Sequence, residues 1–464
     1  MRKAKLMSTL TPEQLEQLVD ERPKDGVFRV HRSMFLDEDI FELEMRHIFE
    51  GNWVFIAHES QIPNRNDFLT TYIGRQPIIL TRTASGELSA VLNACAHRGA
   101  SLERSKCGNK KLFVCPFHAW SFRNDGKVLS CGESETAGYA PGFAKENHNL
   151  KRVPRLESYR GFIFGSLNAD VPDLLSHLGA ARTFIDFIVD QDPKGEIEVL
   201  PGVHSYTYDG NWKLQAENGV DGYHVGPIHG NYVETTANRK RIAEGRQVQD
   251  VMDVSAFSRF AGGYYAFENG HVLLWNESPN PEVRPAYRHR DQFGEKYGAA
   301  RAHWMSSCWR NLLLYPNVFL MDQMSSQIRF FRPLAVDKTV VTSLCFAPKN
   351  ESASDRVARL RQYEDFFNAS GMATPDDLAA FNATQSGLSA LDAEWSDISR
   401  GALNRFEGPD ERAEESGFEP QFGGSQLQDE GIYLNQHHKW LDLLKAGLAA
   451  ELEAESDTEV RAAE

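Results

Sequence analysis

The chain has 464 residues, which is too long for one ordinary hydrophobic core, so two or three packed domains are expected. Its composition, 41% hydrophobic and 25% charged, is that of a globular protein, and no run of about 18 apolar residues predicts a membrane-spanning helix. The formal net charge of −15 disfavours nucleic acid as a partner, because nonspecific binding requires Lys and Arg to neutralise phosphates.

The cysteine content and the N-terminus predict a reducing compartment. Six cysteines are too few for a disulfide scaffold in a chain of this length, and clustered ones then suggest metal binding. The first residues, MRKAKLMSTLTPEQLEQL, lack the continuous apolar segment and the cleavage site of a secretory signal. We therefore expect a cytoplasmic protein.

In chain order, the sequence predicts four segments. Residues 1–44 have apolar positions at helical spacing and are expected to form a helical segment that packs on a larger domain. Residues 45–165 form short β-branched and aromatic runs broken by turn residues, which predicts an all-β domain. Helical and strand-like runs alternate over 166–440, which predicts an α+β domain, and 441–464 read as an acidic, mobile tail.

A first group of metal-ligand residues lies in the predicted all-β domain. Cys95-Ala96-His97 and Cys115-Pro116-Phe117-His118 each place one thiolate and one imidazole on a loop between strand-like runs. A Rieske [2Fe–2S] cluster needs two Cys on one iron and two His on the other, so two such loops can hold both irons. A structural zinc site is the alternative, but zinc fingers usually group like ligands together.

A second group lies in the predicted α+β domain. Glu217, Asp221 and His224 follow one another at i, i+4 and i+7, which predicts one face of a helix, and His229 comes five residues later. Two histidines and one carboxylate make the facial triad of nonheme Fe(II), which leaves coordination positions open for oxygen and substrate. Ordinary core histidines are the alternative interpretation.

The missing carboxylate has a candidate source far along the chain. In GMATPDDLAAF, Asp376 and Asp377 follow Thr374 and Pro375. The same four residues are typical of a helix start, with Thr374 as N-cap, Pro375 at the first helical position and acids in the first turn. A helix start can also direct a carboxylate at a metal, so both interpretations can hold, and the residues alone leave the choice of aspartate open.

These two groups resemble the large (α) subunit of Rieske nonheme iron aromatic-ring-hydroxylating dioxygenases, over nearly the whole chain. The benzoate/toluate branch is the most similar, with anthranilate and 2-halobenzoate dioxygenases close by. The stretches that carry this resemblance are FELEMRHIFEGNWVFIAHESQIP, GRQPIILTR, NACAHRGA, YDGNWKLQAENGVDGYHV, LYPNVFLMDQMSSQIR and ASGMATPDDL.

The resemblance implies a fold and a set of roles. The fold would be α+β and multidomain, with an all-β Rieske domain and a helix-grip (START-like) catalytic domain built on an antiparallel sheet. His224, His229 and Asp377 match the ligands of the mononuclear iron, with Asp376 as fallback. Asp221 matches the aspartate that bridges to the cluster ligand His118 of a neighbouring subunit.

The resemblance also implies partners and a reaction. Three large and three small β subunits would form a hexamer, and a separate flavin/iron–sulfur reductase would deliver electrons from NADH, since no G-x-G-x-x-G opens a βαβ unit here. The expected reaction is cis-dihydroxylation of a benzoate-like aromatic carboxylate with O₂, in a pocket that we expect near Asn218, Val225 and Met321. A Rieske monooxygenase or demethylase, an anthranilate or 2-halobenzoate dioxygenase, and a pure electron carrier are the alternatives.

Overall fold

The computed structural model describes residues 10–132, 138–243, 260–323, 325–366 and 368–463. Internal contacts divide the chain into two compact units, one running from Phe49 to Leu174 and the other combining the residues up to Ile48 with those from Leu175 onward. For comparison, the sequence predicts the all-β domain over 45–165. Among the described residues, no helix is both long and apolar enough to cross a membrane.

The N-terminal segment is helical only in part, which corrects the prediction for 1–44. Its described elements are α1 (Pro12–Glu16), β1 (Val19–Arg22), β2 (Val27–His31) and α2 (Glu38–Glu44). The two strands form an antiparallel hairpin because Pro23 and Gly26 make a tight turn between them, with Gly26 at a φ of +65°. Residues 1–9 of this prediction lie outside the described residues.

The unit from Phe49 to Leu174 is built from short antiparallel strands, which confirms the predicted all-β class. Its strands are β3 (Val54–His58), β4 (Asp67–Ile73), β5 (Gln76–Arg82), β6 (Leu88–Leu92), β7 (Cys107–Asn109), β8 (Leu112–Val114), β9 (Ser121–Arg123), β10 (Val128–Ser130), β11 (Arg155–Tyr159) and β12 (Phe162–Ser166). They form three sheets, ordered β6-β5-β4-β7, β10-β9-β8 and β11-β12-β3. Cys95 and Cys115 lie in the same buried cluster as Phe68, Ile79 and Phe113.

The larger unit combines helices with one long antiparallel sheet, which confirms the predicted α+β class. Beyond the N-terminal segment its helices are α3 (Leu174–Leu178), α4 (Arg182–Val189), α5 (Trp212–Asn218), α6 (Val225–Ile228), α7 (Gly230–Ala243), α8 (Arg290–Tyr297), α9 (Ala299–Ser306), α10 (Ala353–Asp365), α11 (Thr374–Leu388), α12 (Glu411–Ser416) and α13 (Ile432–Ala463). Its strands are β13 (Ile197–Tyr208), β14 (Gly262–Ala266), β15 (Val272–Glu277), β16 (Cys308–Leu314), β17 (Val318–Asp322), β18 (Ser326–Ala335), β19 (Lys338–Pro348), β20 (Trp395–Asp397), β21 (Arg405–Glu407) and β22 (Phe422–Gly424). Nine of them form the sheet β13-β19-β18-β17-β16-β15-β14-β22-β21, while β20 joins the hairpin of β1 and β2.

The C-terminal segment continues as helix α13 to Ala463, which corrects the prediction of a tail beginning at 441. Leu444 and Leu448 are buried, and Arg46 pairs with Glu451 at 2.8 Å. A helix forms here because these apolar residues, spaced four apart, meet the N-terminal segment of the same unit. Residue 464 lies outside the described residues.

A buried polar hub, formed by Glu44, Trp212, Lys213 and Trp440, links three distant parts of the larger unit. The Glu44 carboxylate is fully buried and forms an ion pair with the Lys213 ammonium. It also accepts hydrogen bonds from the indole N–H groups of Trp212, at 2.7 Å, and Trp440, at 2.6 Å. The hub therefore fixes α5, which leads into the second group of ligand residues, against α2 and α13.

Candidate functional site

The two Cys/His loops have the same backbone construction. Their closing hydrogen bonds are Cys95 N–H to Ala100 O at 2.8 Å, Gly99 N–H to Cys95 O at 2.9 Å, Cys115 N–H to Trp120 O at 2.7 Å and Ala119 N–H to Cys115 O at 3.0 Å. Gly99 and Ala119 occupy equivalent positions in the left-handed region, with φ of +74° and +60°. Each loop thus holds its cysteine at the base and leaves its histidine at the turn.

The four side chains of these loops separate by burial. Cys95 and Cys115 are each 3% exposed, whereas His97 and His118 are exposed and their ring centroids lie 4.7 Å apart. Burial raises the pKa of the Cys95 thiol, and the neighbouring Cys115 thiol adds to this effect. Two adjacent buried sulfur donors with two adjacent imidazoles at the surface fit the mixed ligand set of a Rieske cluster.

In the larger unit, the segment after α5 corrects the predicted helical face. The helix ends at Asn218, and the chain then turns, so Glu217, Asp221 and His224 do not share one helix. The turn is packed too closely for larger residues, since a Cβ on Gly219 would lie 2.3 Å from the Phe319 ring. Glu217 points elsewhere and pairs with His437, at 3.0 Å between Oε1 and Nε2.

Three predicted ligand residues nevertheless meet at one point. His224 Nε2 and His229 Nε2 lie 3.3 Å apart, and Asp377 Oδ1 lies 3.4 Å from the first and 3.3 Å from the second. An ion about 2.1 Å from each of three ligand atoms, at angles near 100°, separates them by about 3.2 Å. The three side chains therefore fit the facial triad of a mononuclear iron.

Charge in this group favours a cation. Burial disfavours the protonated His224 ring, but hydrogen bonds and charges from Asp221 and Asp377 prevail and raise the pKa of His224 to about 10. Burial likewise opposes ionisation of Asp377, yet the two histidines hold the pKa of its carboxyl well below the usual value. The group thus keeps a buried carboxylate compensated by positive charge, a place that a divalent cation can take.

Asp221 supports His224 from behind. Its Oδ2 lies 3.0 Å from His224 Nδ1, while its Oδ1 accepts the backbone N–H of Tyr223 at 2.6 Å. The two side chains are 21% and 17% exposed. A carboxylate on the outer nitrogen of a metal-ligating histidine fixes the orientation and tautomer of the ring.

Asn218 lies directly beside the three ligand atoms. Its Nδ2 is 3.2 Å from His224 Nε2 and donates to Asp377 Oδ1 at 3.3 Å. Asn218, Val225 and Met321 all line a cavity next to these three side chains. The cavity is the place where a substrate can approach the metal-ligand atoms.

The structure distinguishes the two adjacent aspartates. Asp377 lies in the first turn of α11 and is buried beside His224 and His229. Among the described residues, Asp376 is not part of this group of possible metal ligands. The helix start differs by one residue from the prediction, because Ala373 is the N-cap and Thr374 is the first helical residue. The helix start and the metal-directed carboxylate therefore coexist at this place.

Among the polar cavity residues that sequence reasoning missed are Asn311 on β16 and Arg329 on β18. Both are almost fully buried, at 6% and 1% exposure. The available signal was a polar residue inside a strand that is otherwise apolar, as in NLLLY and QIRFF. Only the register of the sheet shows that these two residues face the same cavity as the triad.

Two family models match the chain. A Rieske [2Fe–2S] domain matches residues 52–141, and the catalytic domain of the ring-hydroxylating alpha subunit matches residues 198–444. The two matched ranges contain, respectively, the two Cys/His loops and the triad with its cavity. This division agrees with the two separate ligand groups found by geometry.

Three curated relatives are similar over almost their full length. The 2-halobenzoate 1,2-dioxygenase large subunit of Burkholderia cepacia is 48% identical, covering 94% of each chain. The toluate 1,2-dioxygenase subunit alpha of Pseudomonas putida is 49% identical, covering 92% of this chain and 93% of that one. The anthranilate 1,2-dioxygenase large subunit of Acinetobacter baylyi is 47% identical, covering 93% and 92%.

A solved structure shows the same fold. Naphthalene 1,2-dioxygenase from Rhodococcus sp., bound to indole, superposes with a TM-score of 0.79 at 24% identity, covering 94% of this chain and 98% of that one. The family models and the relatives confirm the predicted family and cofactors, since the matched domains imply one Rieske cluster and one mononuclear iron per chain. The chain belongs to the family of Rieske-type ring-hydroxylating alpha subunits.

Proposed function

We propose that this protein is the terminal oxygenase component of an enzyme that cis-dihydroxylates an aromatic carboxylate of the benzoate type. One molecule each of aromatic acid, O₂ and NADH, with one proton, would give one cis-diol acid and NAD⁺. The observation that carries this proposal is the similarity, at 47–49% identity, to three relatives named for toluate, 2-halobenzoate and anthranilate. A cavity beside a facial triad provides the reaction site.

In this proposal, Cys95, His97, Cys115 and His118 hold the Rieske cluster. The buried thiols and exposed imidazoles support that assignment. His224, His229 and Asp377 hold the mononuclear iron, supported by the spacing of their ligand atoms. When bound, the cluster supplies electrons and the mononuclear iron activates oxygen.

The residues around the triad orient the ligand side chains and exclude water from the cavity. Asp221 holds the His224 ring through Nδ1, and Asn218 donates a hydrogen bond to Asp377 Oδ1, so both ligand side chains have fixed directions. Apolar residues such as Leu274, Met321 and Phe366 line the cavity and limit access of water to the reacting ring.

The proposal includes partners that deliver electrons and complete the assembly. The names of two relatives, "large subunit" and "subunit alpha", mark them as parts of multi-subunit enzymes. We infer an α₃β₃ hexamer in the cytoplasm, in which His118 of one chain lies near Asp221 of its neighbour. A separate flavin/iron–sulfur reductase would oxidise NADH.

The decisive experiment is oxygenation of benzoate under ¹⁸O₂ by the purified oxygenase with its reductase. The proposal expects a cis-diol acid that carries two labelled oxygens. A product with one labelled oxygen would instead identify a monooxygenase. Asp377→Ala should abolish product while the Rieske cluster remains reducible. If the wild type forms no oxygenated product and Asp377→Ala transfers electrons as fast as the wild type, the protein is an electron carrier.

A further inference from the structure

One wall of the cavity is formed by the central strands of the nine-stranded sheet. Leu274, Asn311 and Met321 are paired in register across β15, β16 and β17, so their side chains share one face of the sheet. Arg329 joins them from β18, where it pairs with Phe319, two residues before Met321. All four named wall residues line the cavity.

Arg329 gives this wall an anion-binding group. Among the described residues that line the cavity, Arg329 carries the only permanent positive charge, and it is 1% exposed. A guanidinium presents a planar fork of donors that matches a carboxylate, and the attraction is stronger in a buried cavity than in water. Arg329 is therefore the group of this wall whose charge suits an anionic substrate.

Asn311 gives the same wall a hydrogen-bond acceptor. Its Nδ2 donates to the carbonyl oxygen of Gly219 at 2.9 Å, which fixes the orientation of the side-chain amide. No described residue donates to its Oδ1, although the side chain is 94% buried, being only 6% exposed. A buried acceptor without a donor is destabilising, and a ligand that supplies an N–H or O–H removes that cost.

The spacing of these two groups suits one substituted ring. Both β16 and β18 are neighbours of β17, so they lie about 9–10 Å apart in the sheet. That strand separation is about the width of a benzene ring with its substituents. The cavity wall carries a positive charge on β18 and a hydrogen-bond acceptor on β16.

We propose that the cavity binds an aromatic acid with an amino or hydroxyl group on the ring, with Arg329 on the carboxylate and Asn311 Oδ1 on the donor substituent. This inference rests on the proposed function and adds the substrate class. The relatives named for a halogenated, a methylated and an amino-substituted acid are about equally identical to this chain, so overall identity does not separate these substrates. The Asn311 acceptor favours the amino-substituted acid, because neither a halogen nor a methyl group is a hydrogen-bond donor.

The first arm of the test is a competition assay with the iron-loaded oxygenase and its reductase. Equal concentrations of 2-aminobenzoate and 2-methylbenzoate, which have similar size, are supplied together, and the consumption of each is followed by chromatography. The wild type should consume 2-aminobenzoate at least about 10-fold faster than 2-methylbenzoate. Asn311→Leu should lower this ratio of the two rates about 10-fold. Asn276→Leu, which removes a buried amide from β15 outside the cavity lining, is the matched control and should keep the ratio.

The second arm tests the charge with benzoate and its neutral analogue benzamide. Arg329→Gln should raise the KM of benzoate about 10- to 100-fold and leave the KM of benzamide within a few-fold. Arg329→Lys should recover part of the benzoate affinity, because it keeps the charge without the planar fork. Arg332→Gln, on the same strand but outside the cavity lining, is the matched control.

The outcomes separate this inference from the proposed function. Iron content and the EPR signal of the reduced cluster report whether each variant is folded. If the wild type consumes both acids but does not prefer 2-aminobenzoate, the assignment of Asn311 Oδ1 to the donor substituent is wrong. The same holds if Asn311→Leu keeps the wild-type ratio of the two rates. If Arg329→Gln affects benzamide as much as benzoate, the carboxylate assignment is wrong. If the wild type oxygenates no aromatic acid, the proposed function fails and this inference with it.

Discussion

The contact between Asp221 and His224 gives a prediction whose size follows from the structure. Asp221→Asn replaces the carboxylate that faces His224 Nδ1 at 3.0 Å by a neutral amide. A close polar contact with a charged group contributes about 1.5–3 kcal/mol, and both side chains are at most about one-fifth exposed, so solvent screens this ion pair little. At about 1.4 kcal/mol per factor of ten, we expect the variant to bind Fe(II) about 10- to 150-fold more weakly.

The assay is anaerobic titration of iron-depleted protein with Fe(II) against a competing chelator. Iron affinity is measured, and not turnover, because turnover would also report any loss of electron transfer. Glu217→Gln is the matched control, since the structure turns this carboxylate toward His437 and away from the triad. If Asp221→Asn binds Fe(II) as tightly as the wild type, or if Glu217→Gln loses as much Fe(II) affinity, Asp221 does not support iron binding through His224.

Three further predictions concern the two adjacent aspartates, the proton on His224 and the buried polar hub. Asp377→Asn should lose the mononuclear iron while Asp376→Asn keeps it, as metal analysis would show, and equal loss would contradict the assignment. The raised pKa of His224, about 10 against an ordinary 6.5, means that metal-free protein carries a proton that Fe(II) displaces. Apparent iron affinity should therefore increase about tenfold per pH unit between about pH 6.5 and 8, and a flat profile would disprove this. Glu44→Gln should lower the free energy of unfolding by about 3 kcal/mol, because it leaves the Lys213 ammonium buried without its partner, whereas Glu44→Gln with Lys213→Met should regain part of it.

Local spacing explains why the first ligand group could be predicted from the sequence. Cys95 and His97, like Cys115 and His118, lie within one short loop each, and tight loops constrain such neighbours whatever the rest of the fold does. The alternation of β-branched and turn residues around them likewise predicted an all-β unit. Periodicity and spacing are local properties, so they survive in the sequence.

Packing explains why the helical face was wrong. The spacing of Glu217, Asp221 and His224 suits a helix, but close contacts at Gly219 and Gly222 bend the chain after Asn218. His224 and Asp221 still meet, because Asp221 accepts the backbone N–H of Tyr223 and so stabilises the turn. Packing by the N-terminal segment similarly turned a predicted tail into part of helix α13.

The sequence by itself determined the fold class and the family, and it indicated two candidate metal-ligand groups, because these depend on residue type, short spacing and long matched stretches. Only the tertiary structure decided that Asp377 rather than Asp376 meets His224 and His229, since that depends on how α11 is placed against a loop about 150 residues earlier. It also decided that Asn311 and Arg329 face the triad cavity. Their positions depend on strand order and register in a nine-stranded sheet, which are set by long-range pairing that no local pattern records.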